Sequence, residues 1–374
     1  MIGGYLMKKL FLKIMVGCLG LFLVSGSVQA KKVSNKKINK IVKKMTLDEK
    51  IGQMYVSPSS GNIDTMISDS KNYHLGGIVL FGSDFAKQDA QAMKAKDQAL
   101  QKASRYGAFI ATDQEGGTVS RLSTYPGLTN NRKFPAPQTV YKQKGMAGVV
   151  TEYSAVAKIM HGLGINWNFA PVADVTTDQG SFIYPRTLGE NYQITANYVK
   201  QVVPAIQKQK VGATLKHFPG YGAAADTHVG FASDNRSLDV FRQNDFLPFV
   251  AGIKAGADSL LVGHVVIKSV DGSKPASLSR PVHDLVRKEL KFKGVIVTDD
   301  MNMGAVTKFA QEKKINADVL AVMAGNDMLL SSDYKTGIPA IKAEIKRGNI
   351  STKQINRSVT RILKMKAKLG ILKY

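Results

Sequence analysis

Cysteine is all but missing from this chain. The one thiol among 374 residues is Cys18. Beyond the first 30 residues, disulfides, thiol nucleophiles and cysteine metal sites are therefore excluded. Acids are scarce as well: 28 Asp and Glu face 52 Lys and Arg, a formal charge of +24. So basic a chain favours polyanionic surroundings. No compact Lys/Arg block with interleaved aromatics occurs, which argues against a dedicated nucleic-acid site. No zinc spacing such as His-Glu-x-x-His occurs either, and neither metal nor other cofactor is expected. No apolar run reaches the roughly 20 residues of a comfortable transmembrane helix.

What is there begins with a leader. Lys8, Lys9 and Lys13 precede an apolar run from Ile14 to Val24, and Val28-Gln-Ala30 fits a small-x-small cleavage site. Residues 1–30 read as a secretory signal peptide, with an uncleaved anchor as the alternative. Met15-Val-Gly-Cys18 loosely matches a lipoprotein box, but Cys18 sits in mid-run rather than at its end. An exported protein, secreted or held at the wall or membrane, is expected. Its positive charge would favour an anionic cell wall over nucleic acid, or would serve solubility alone.

From about residue 36 the chain alternates. Ile38, Ile41, Val42 and Met45 keep a helical spacing, and Thr46 with Glu49 form a capping-box pair. Short β-rich runs follow near 53–57, 78–81, 109–112, 166–169, 213–217, 259–263, 295–298 and 327–330. Helical stretches such as 87–105, 149–163 and 192–209 lie between them, and a final amphipathic stretch, Ile355 to Leu369, stops near Gly370. Eight apolar strands alternating with helices imply α/β class and a (β/α)8 TIM-type barrel in a single domain, 31–374. A doubly wound sheet is the alternative, but QMYVSPSSGN is a poor phosphate turn.

Barrel chemistry sits at the C-terminal strand ends, and four strands run directly into polar clusters. Strand 109–112 leads into Asp113-Gln-Glu-Gly-Gly117, and 213–217 carries Lys216-His-Phe-Pro-Gly220. Strand 259–263 meets His264, and 295–298 meets Asp299-Asp300. Singly, each acid could merely cap a helix; their convergence on one rim points to a site. Trp167 and Phe169 read as barrel core rather than a sugar platform. His264 suits pocket lining and structural hydrogen bonding equally.

Lys216-His-Phe-Pro-Gly220, Asp226-Thr-His228, Gly294-Val-Ile-Val-Thr-Asp-Asp300 with Met301-Asn-Met-Gly304, Met45-Thr-Leu-Asp-Glu-Lys-Ile-Gly-Gln53 and Asp113-Gln-Glu-Gly-Gly117 together resemble the β-N-acetylglucosaminidase branch of glycoside hydrolase family 3. The resemblance runs from about 36 to 370. It implies a carbohydrate substrate with terminal β-linked N-acetylglucosamine. It also implies Asp299 as nucleophile, Asp226 and His228 as the proton-handling dyad, and Asp113, Arg121, Arg186, Lys216 and His217 as the grip on the sugar. Many relatives take their acid from a second domain. Here the acid is expected within the barrel, and the loop 219–230 offers His228, histidine being the side-chain type suited to give and take a proton in alternate steps. Where relatives commonly carry Gly-His-Gly-Asp-Thr, this chain has Gly220-Tyr-Gly-Ala-Ala224, a departure that bears on the leaving group. The small residues of this loop suggest a mobile flap. A β-glucosidase or xylosidase, a phosphorylase and a non-catalytic wall-binding barrel are the alternatives.

Overall fold

The computed structural model describes Val33–Tyr374. The leader read in residues 1–30 lies outside the described residues. Eight strands alternate with helices: β1 (Tyr55–Pro58), β2 (Gly77–Val79), β3 (Phe109–Thr112), β4 (Trp167–Asn168), β5 (Gly212–Phe218), β6 (Ser259–Val262), β7 (Val295–Thr298) and β8 (Leu329–Leu330). They pair in the order β7-β6-β5-β4-β3-β2-β1-β8, every pair parallel. A parallel bridge from Val297 to Met328 brings β8 back beside β7 and closes the ring. Nearly every strand residue is buried. Side chains here face either the barrel lumen or the helical shell, and for that reason runs such as Val295-Ile-Val-Thr298 are continuously apolar rather than alternating.

Inside the barrel, Phe109, Trp167 and Phe169 pack with ring centroids 4.8 Å apart in both pairs. The Trp167 indole N–H donates to Thr214 Oγ1 and Ser259 Oγ, each at 2.9 Å. Its burial thus leaves no orphaned donor.

The helices follow their signals. Helix Asn35–Lys44 buries Ile38 and Val42. Thr46 and Glu49 exchange the two capping-box bonds, at 2.8 and 3.2 Å. Helix Pro137–Gly162 begins well before the stretch read from sequence. Pro137 opens it, and Gly145, at φ 61 and ψ −168, breaks its pattern part-way. The last helix, Thr352–Leu369, buries Ile355, Val359, Ile362 and Leu363 and stops at Gly370 in the left-handed region, φ 79. No helix among the described residues is long and apolar enough to cross a membrane.

Candidate active site

The loops that leave the C-terminal strand ends enclose a cavity of about 360 Å³, lined among others by Asp113, Arg121, Arg186, Lys216, His217, His228, Asp299 and Asp300. Of the residues expected from sequence, Asp226 alone does not line it, and it bonds His228, which does.

Asp113 directly follows β3, and a tight ribbon, Gln114–Gly116 against Val119–Ser120, turns the chain back there. Asn168, at the end of β4, clamps the Gln114 backbone with two bonds of 3.0 Å. Gly116 sits at φ 100, where a Cβ would meet Pro135 O at 2.4 Å. This turn buries Glu115 fully between two cations. Lys216 Nζ lies 2.6 Å from its Oε1, and Arg186 makes a forked pair at 2.8 and 2.9 Å. Burial alone would raise the Glu115 carboxyl, yet Lys216 and Arg186 outweigh it and hold the pKa at about 2. Lys216 Nζ also donates to Asp113 Oδ1 at 2.8 Å. Burial works against its charge, but Asp113 and Glu115 together raise its pKa. Sequence reasoning assigned Glu115 no role. Its partners lie 71 or more residues away along the chain, and only the fold brings them together.

Asp174 was missed too. It follows β4 and orders the other half of the wall. Its Oδ2 accepts from the His217 backbone N–H at 3.0 Å and from His217 Nδ1 at 2.7 Å, while Oδ1 accepts from Tyr221 N–H at 2.8 Å. On the other side of the ring, His217 Nε2 lies 3.1 Å from Arg186 Nη2. Lys216 and His217 adjoin on β5, yet both line the cavity. The β5–β6 register shifts between Leu215 and Phe218, which interrupts simple alternation.

Arg121 stands 3.8 Å from Asp113 and half-open to solvent. Its Nε is buried without a hydrogen-bond partner, a donor free for a ligand oxygen. Phe169 lines the cavity floor, whereas Trp167 stays in the core. His264 takes the structural role: fully buried, it bonds Ser277 Oγ at 2.7 Å and donates from Nε2 to Asp300 O at 2.9 Å.

Asp299 is the first residue off β7. Its backbone N–H still bonds Val262 O of the barrel at 2.9 Å, so the carboxylate is mounted on the scaffold and partly open to the cavity. Burial opposes its charge, but His217, His264 and Lys216 hold its pKa below the usual carboxylate range. Asp300 goes the other way, raised by burial and by the charge of Asp299. One of its oxygens accepts from Asn302 N–H at 2.9 Å.

His228 reaches the cavity on the loop after β5. Asp226 Oδ1 accepts from its backbone N–H at 2.9 Å and from ring Nδ1 at 2.5 Å. The dyad is therefore a tight local turn rather than the extended pair expected from an i, i+2 spacing. Nε2 has no partner among the described residues. The loop is also better anchored than a mobile flap. Gly304 N–H and Ala305 N–H, at the start of helix Gly304–Lys313, donate to His228 O and Thr227 O at 3.1 and 3.2 Å. Lys308 Nζ donates to Val229 O at 2.9 Å, and Tyr221 and Thr227 pair their hydroxyls in the interior. The loop's glycines serve close approach: a Cβ on Gly220, at φ 120, would meet Asp245 Oδ1 at 2.7 Å. Since that helix starts five residues after Asp299, one short segment positions both candidate catalytic groups. No group of three or more His, Cys, Asp or Glu suited to a metal occurs among the described residues.

The glycosyl hydrolase family 3 N-terminal domain matches residues 46–365. The chain belongs to glycosyl hydrolase family 3. A β-hexosaminidase from Xanthomonas campestris pv. campestris is 35% identical over 233 residues, 62% of this chain and 70% of that protein. A β-hexosaminidase from Stenotrophomonas maltophilia is 35% identical over 234 residues, covering 62% and 69%. Among solved structures, a family 3 β-N-acetylglucosaminidase from Paenibacillus sp. str. FPU-7 matches with a TM-score of 0.80 and 28% identity, over 87% of this chain. This family 3 chain spans 63% of that structure's length.

The buried charge cluster yields a prediction. Glu115→Gln leaves Lys216 and Arg186 short of their shared carboxylate, which should destabilise the fold by about 3 kcal/mol at pH 7, the scale for one broken buried pair. Because the folded-state pKa of about 2 lies below the ordinary value of 4.5, the contribution is complete above about pH 4.5 and fades as pH falls towards 2. Denaturant unfolding of both forms across that range should show the deficit shrinking with acid. A deficit under roughly 1 kcal/mol at pH 7 would mean the cluster does not act as a buried ion network.

Proposed function

We propose that the protein is an exported, retaining exo-β-N-acetylglucosaminidase that removes terminal β-linked N-acetylglucosamine from cell-wall fragments. The observation that carries this reading is the juxtaposition of an ionised, scaffold-mounted carboxylate, Asp299, with a histidine whose Nδ1 is tied to Asp226 and whose Nε2 is unbonded at the same cavity. The names of the Xanthomonas and Paenibacillus relatives support the amino-sugar preference. A cavity of about 360 Å³, at the small end of the roughly 300–1,000 Å³ of ligand clefts, suits one terminal sugar.

In the first step an Asp299 oxygen bonds the anomeric carbon while the glycosidic C–O bond breaks, and the Nε2 proton of His228 passes to the departing oxygen. In the second, neutral Nε2 takes a proton from water, the water oxygen bonds the anomeric carbon, and the Asp299 carboxylate leaves. Asp226 holds the ring in one tautomer and stabilises its charged form, the orienting role an acid plays in hydrolase triads. Asp113, Lys216, Arg186, His217 and Arg121 grip the sugar's hydroxyl and amide groups.

The test compares nitrophenyl N-acetylglucosaminide with nitrophenyl glucoside and xyloside, with and without inorganic phosphate. The expected result is a kcat/KM preference of roughly 100-fold or more for the amino sugar, unaffected by phosphate. Equal rates on the glucoside would favour a glucosidase, and phosphate dependence a phosphorylase. Digestion of muropeptides then tests the wall-fragment substrate, and fractionation of producing cells tests export.

A further inference from the structure

The N-terminal face of the barrel, opposite the cavity, carries a second feature. Helix Thr352–Leu369 runs across this face. Arg361 bonds Asp327 ahead of β8 at 2.9 Å, Lys366 Nζ reaches Gln53 Oε1 and Gly107 O ahead of β1 and β3, and Lys368 bonds Asp258 ahead of β6 at 2.5 Å. Between this helix and the segment 280–293 ahead of β7 lies an open groove of about 970 Å³.

Its charged lining is almost wholly positive. Lys353, Arg357, Arg361 and Lys364 fall at intervals of four, four and three residues, one stripe of the helix. At 1.5 Å per residue the stripe extends about 16 Å. Lys291 and Lys293 add to it from the loop before β7. One acid, Asp284, lines the groove, and it is already engaged by Arg280 at 3.3 Å and Lys288 at 3.1 Å. Asp327, buried below, is taken by Arg287 and Arg361. Lys291, Lys293, Lys353, Arg357 and Lys364 are exposed and form no ion pair among the described residues. Five like charges in one groove repel one another, and a bound anion would relieve that repulsion.

We propose that this groove binds a linear phosphodiester polymer of the polyol-phosphate kind that cell walls carry. A lone phosphate would occupy only a part of the stripe, whereas a linear chain meets its cations in succession. Phe292 and His283, the two aromatic rings of the groove lining, are both buried, so no exposed ring offers a stacking platform for nucleic-acid bases. The choice of a wall polymer over nucleic acid rests on the function proposed above; the binding itself does not. A chain held by this face keeps the cavity on the other face free for substrate.

The experiment measures binding of the full protein to a polyglycerol-phosphate polymer across a salt series, with no turnover involved. One variant combines Lys291→Gln, Lys293→Gln, Lys353→Gln, Arg357→Gln and Lys364→Gln. A charge-matched control combines Lys71→Gln, Lys94→Gln, Lys102→Gln, Lys142→Gln and Lys208→Gln, all exposed and away from the groove. The groove variant should bind roughly 10-fold or more weakly, with a flatter dependence of log affinity on log salt, since each lost phosphate contact lowers that slope by nearly one. The control should change less than about 3-fold, and nitrophenyl hydrolysis should be equal in all three. Equal losses in both variants would reduce the effect to net charge and overturn the site. Tighter binding of duplex DNA than of the polymer at matched phosphate would overturn the partner. Lost polymer binding in the groove variant beside unaltered hydrolysis separates this proposal from the catalytic one.

Discussion

Asp299→Ala should lower hydrolysis of nitrophenyl N-acetylglucosaminide by roughly 10⁴-fold or more, the scale on which loss of a covalent nucleophile acts. The expectation follows from where the carboxylate is mounted and how it is charged. Its backbone is the last rung of the β7–β6 ladder, so the attacking oxygen inherits the rigidity of the barrel. His217, His264 and Lys216 keep it ionised against the pull of burial, and an ionised carboxylate is what attack on an anomeric carbon needs. Asp300 is a poor substitute: burial and its neighbour raise its pKa, and the Asn302 N–H occupies one of its oxygens. A 5-fluoro amino-sugar inactivator should therefore add its mass to the peptide holding both acids, with fragmentation placing it on Asp299. The variant should lose some stability at neutral pH, because a carboxyl whose pKa is lowered in the fold favours folding while ionised; an unfolding transition still well above the assay temperature shows that the lost turnover is lost chemistry. Near-normal turnover in the variant, or label on Asp300, would remove Asp299 from the nucleophile's role.

The barrel was legible because its strands are doubly buried. A stretch such as Val295-Ile-Val-Thr298 has no polar face, and eight such stretches between helical segments leave few architectures. The strand-end clusters were legible for a related reason: polar residues directly after apolar strands must sit at a rim. What stayed hidden were residues whose meaning depends on distant partners. Glu115 lay in a motif already singled out, but its burial between Lys216 and Arg186 exists only once β3, β5 and the turn at Tyr184–Arg186 converge. Asp174 has no local signature at all and acts on residues 43 and 47 positions away. The loop after β5 was read from composition as mobile. Its glycines instead answer to backbone geometry and to Asp245 and Arg236 packed against them, while hydrogen bonds from Gly304, Ala305 and Lys308 tie it down. Composition reports what a loop can do in isolation; the neighbouring helix decides what it does in the fold.

His228→Ala should slow turnover by about 10²- to 10⁴-fold, the usual weight of a positioned proton shuttle, and the loss should depend on the leaving group. A dinitrophenyl leaving group departs with little protonation, so the first step should be largely spared and the glycosyl-enzyme on Asp299 should accumulate as a burst. The second step would still lack its base. Added azide, which needs none, should restore turnover and yield a glycosyl azide of retained configuration. Asp226→Asn should lose less than His228→Ala, because the ring remains while its Nδ1 partner of 2.5 Å changes from carboxylate to amide. The rival acid is Asp300, whose raised pKa and place at the cavity are what a proton donor beside an ionised carboxylate would show. Geometry favours the histidine. Asp299 and Asp300 are consecutive at the end of one strand, whereas retaining hydrolysis needs its two groups on either side of the scissile bond, and the β5 loop brings His228 from a different element. Asp300→Asn should accordingly stay within roughly 10-fold of the parent and show no azide rescue. If Asp300→Asn, rather than His228→Ala, proves rescuable, the proton passes through the carboxyl group and the Asp226–His228 turn serves only to hold the loop.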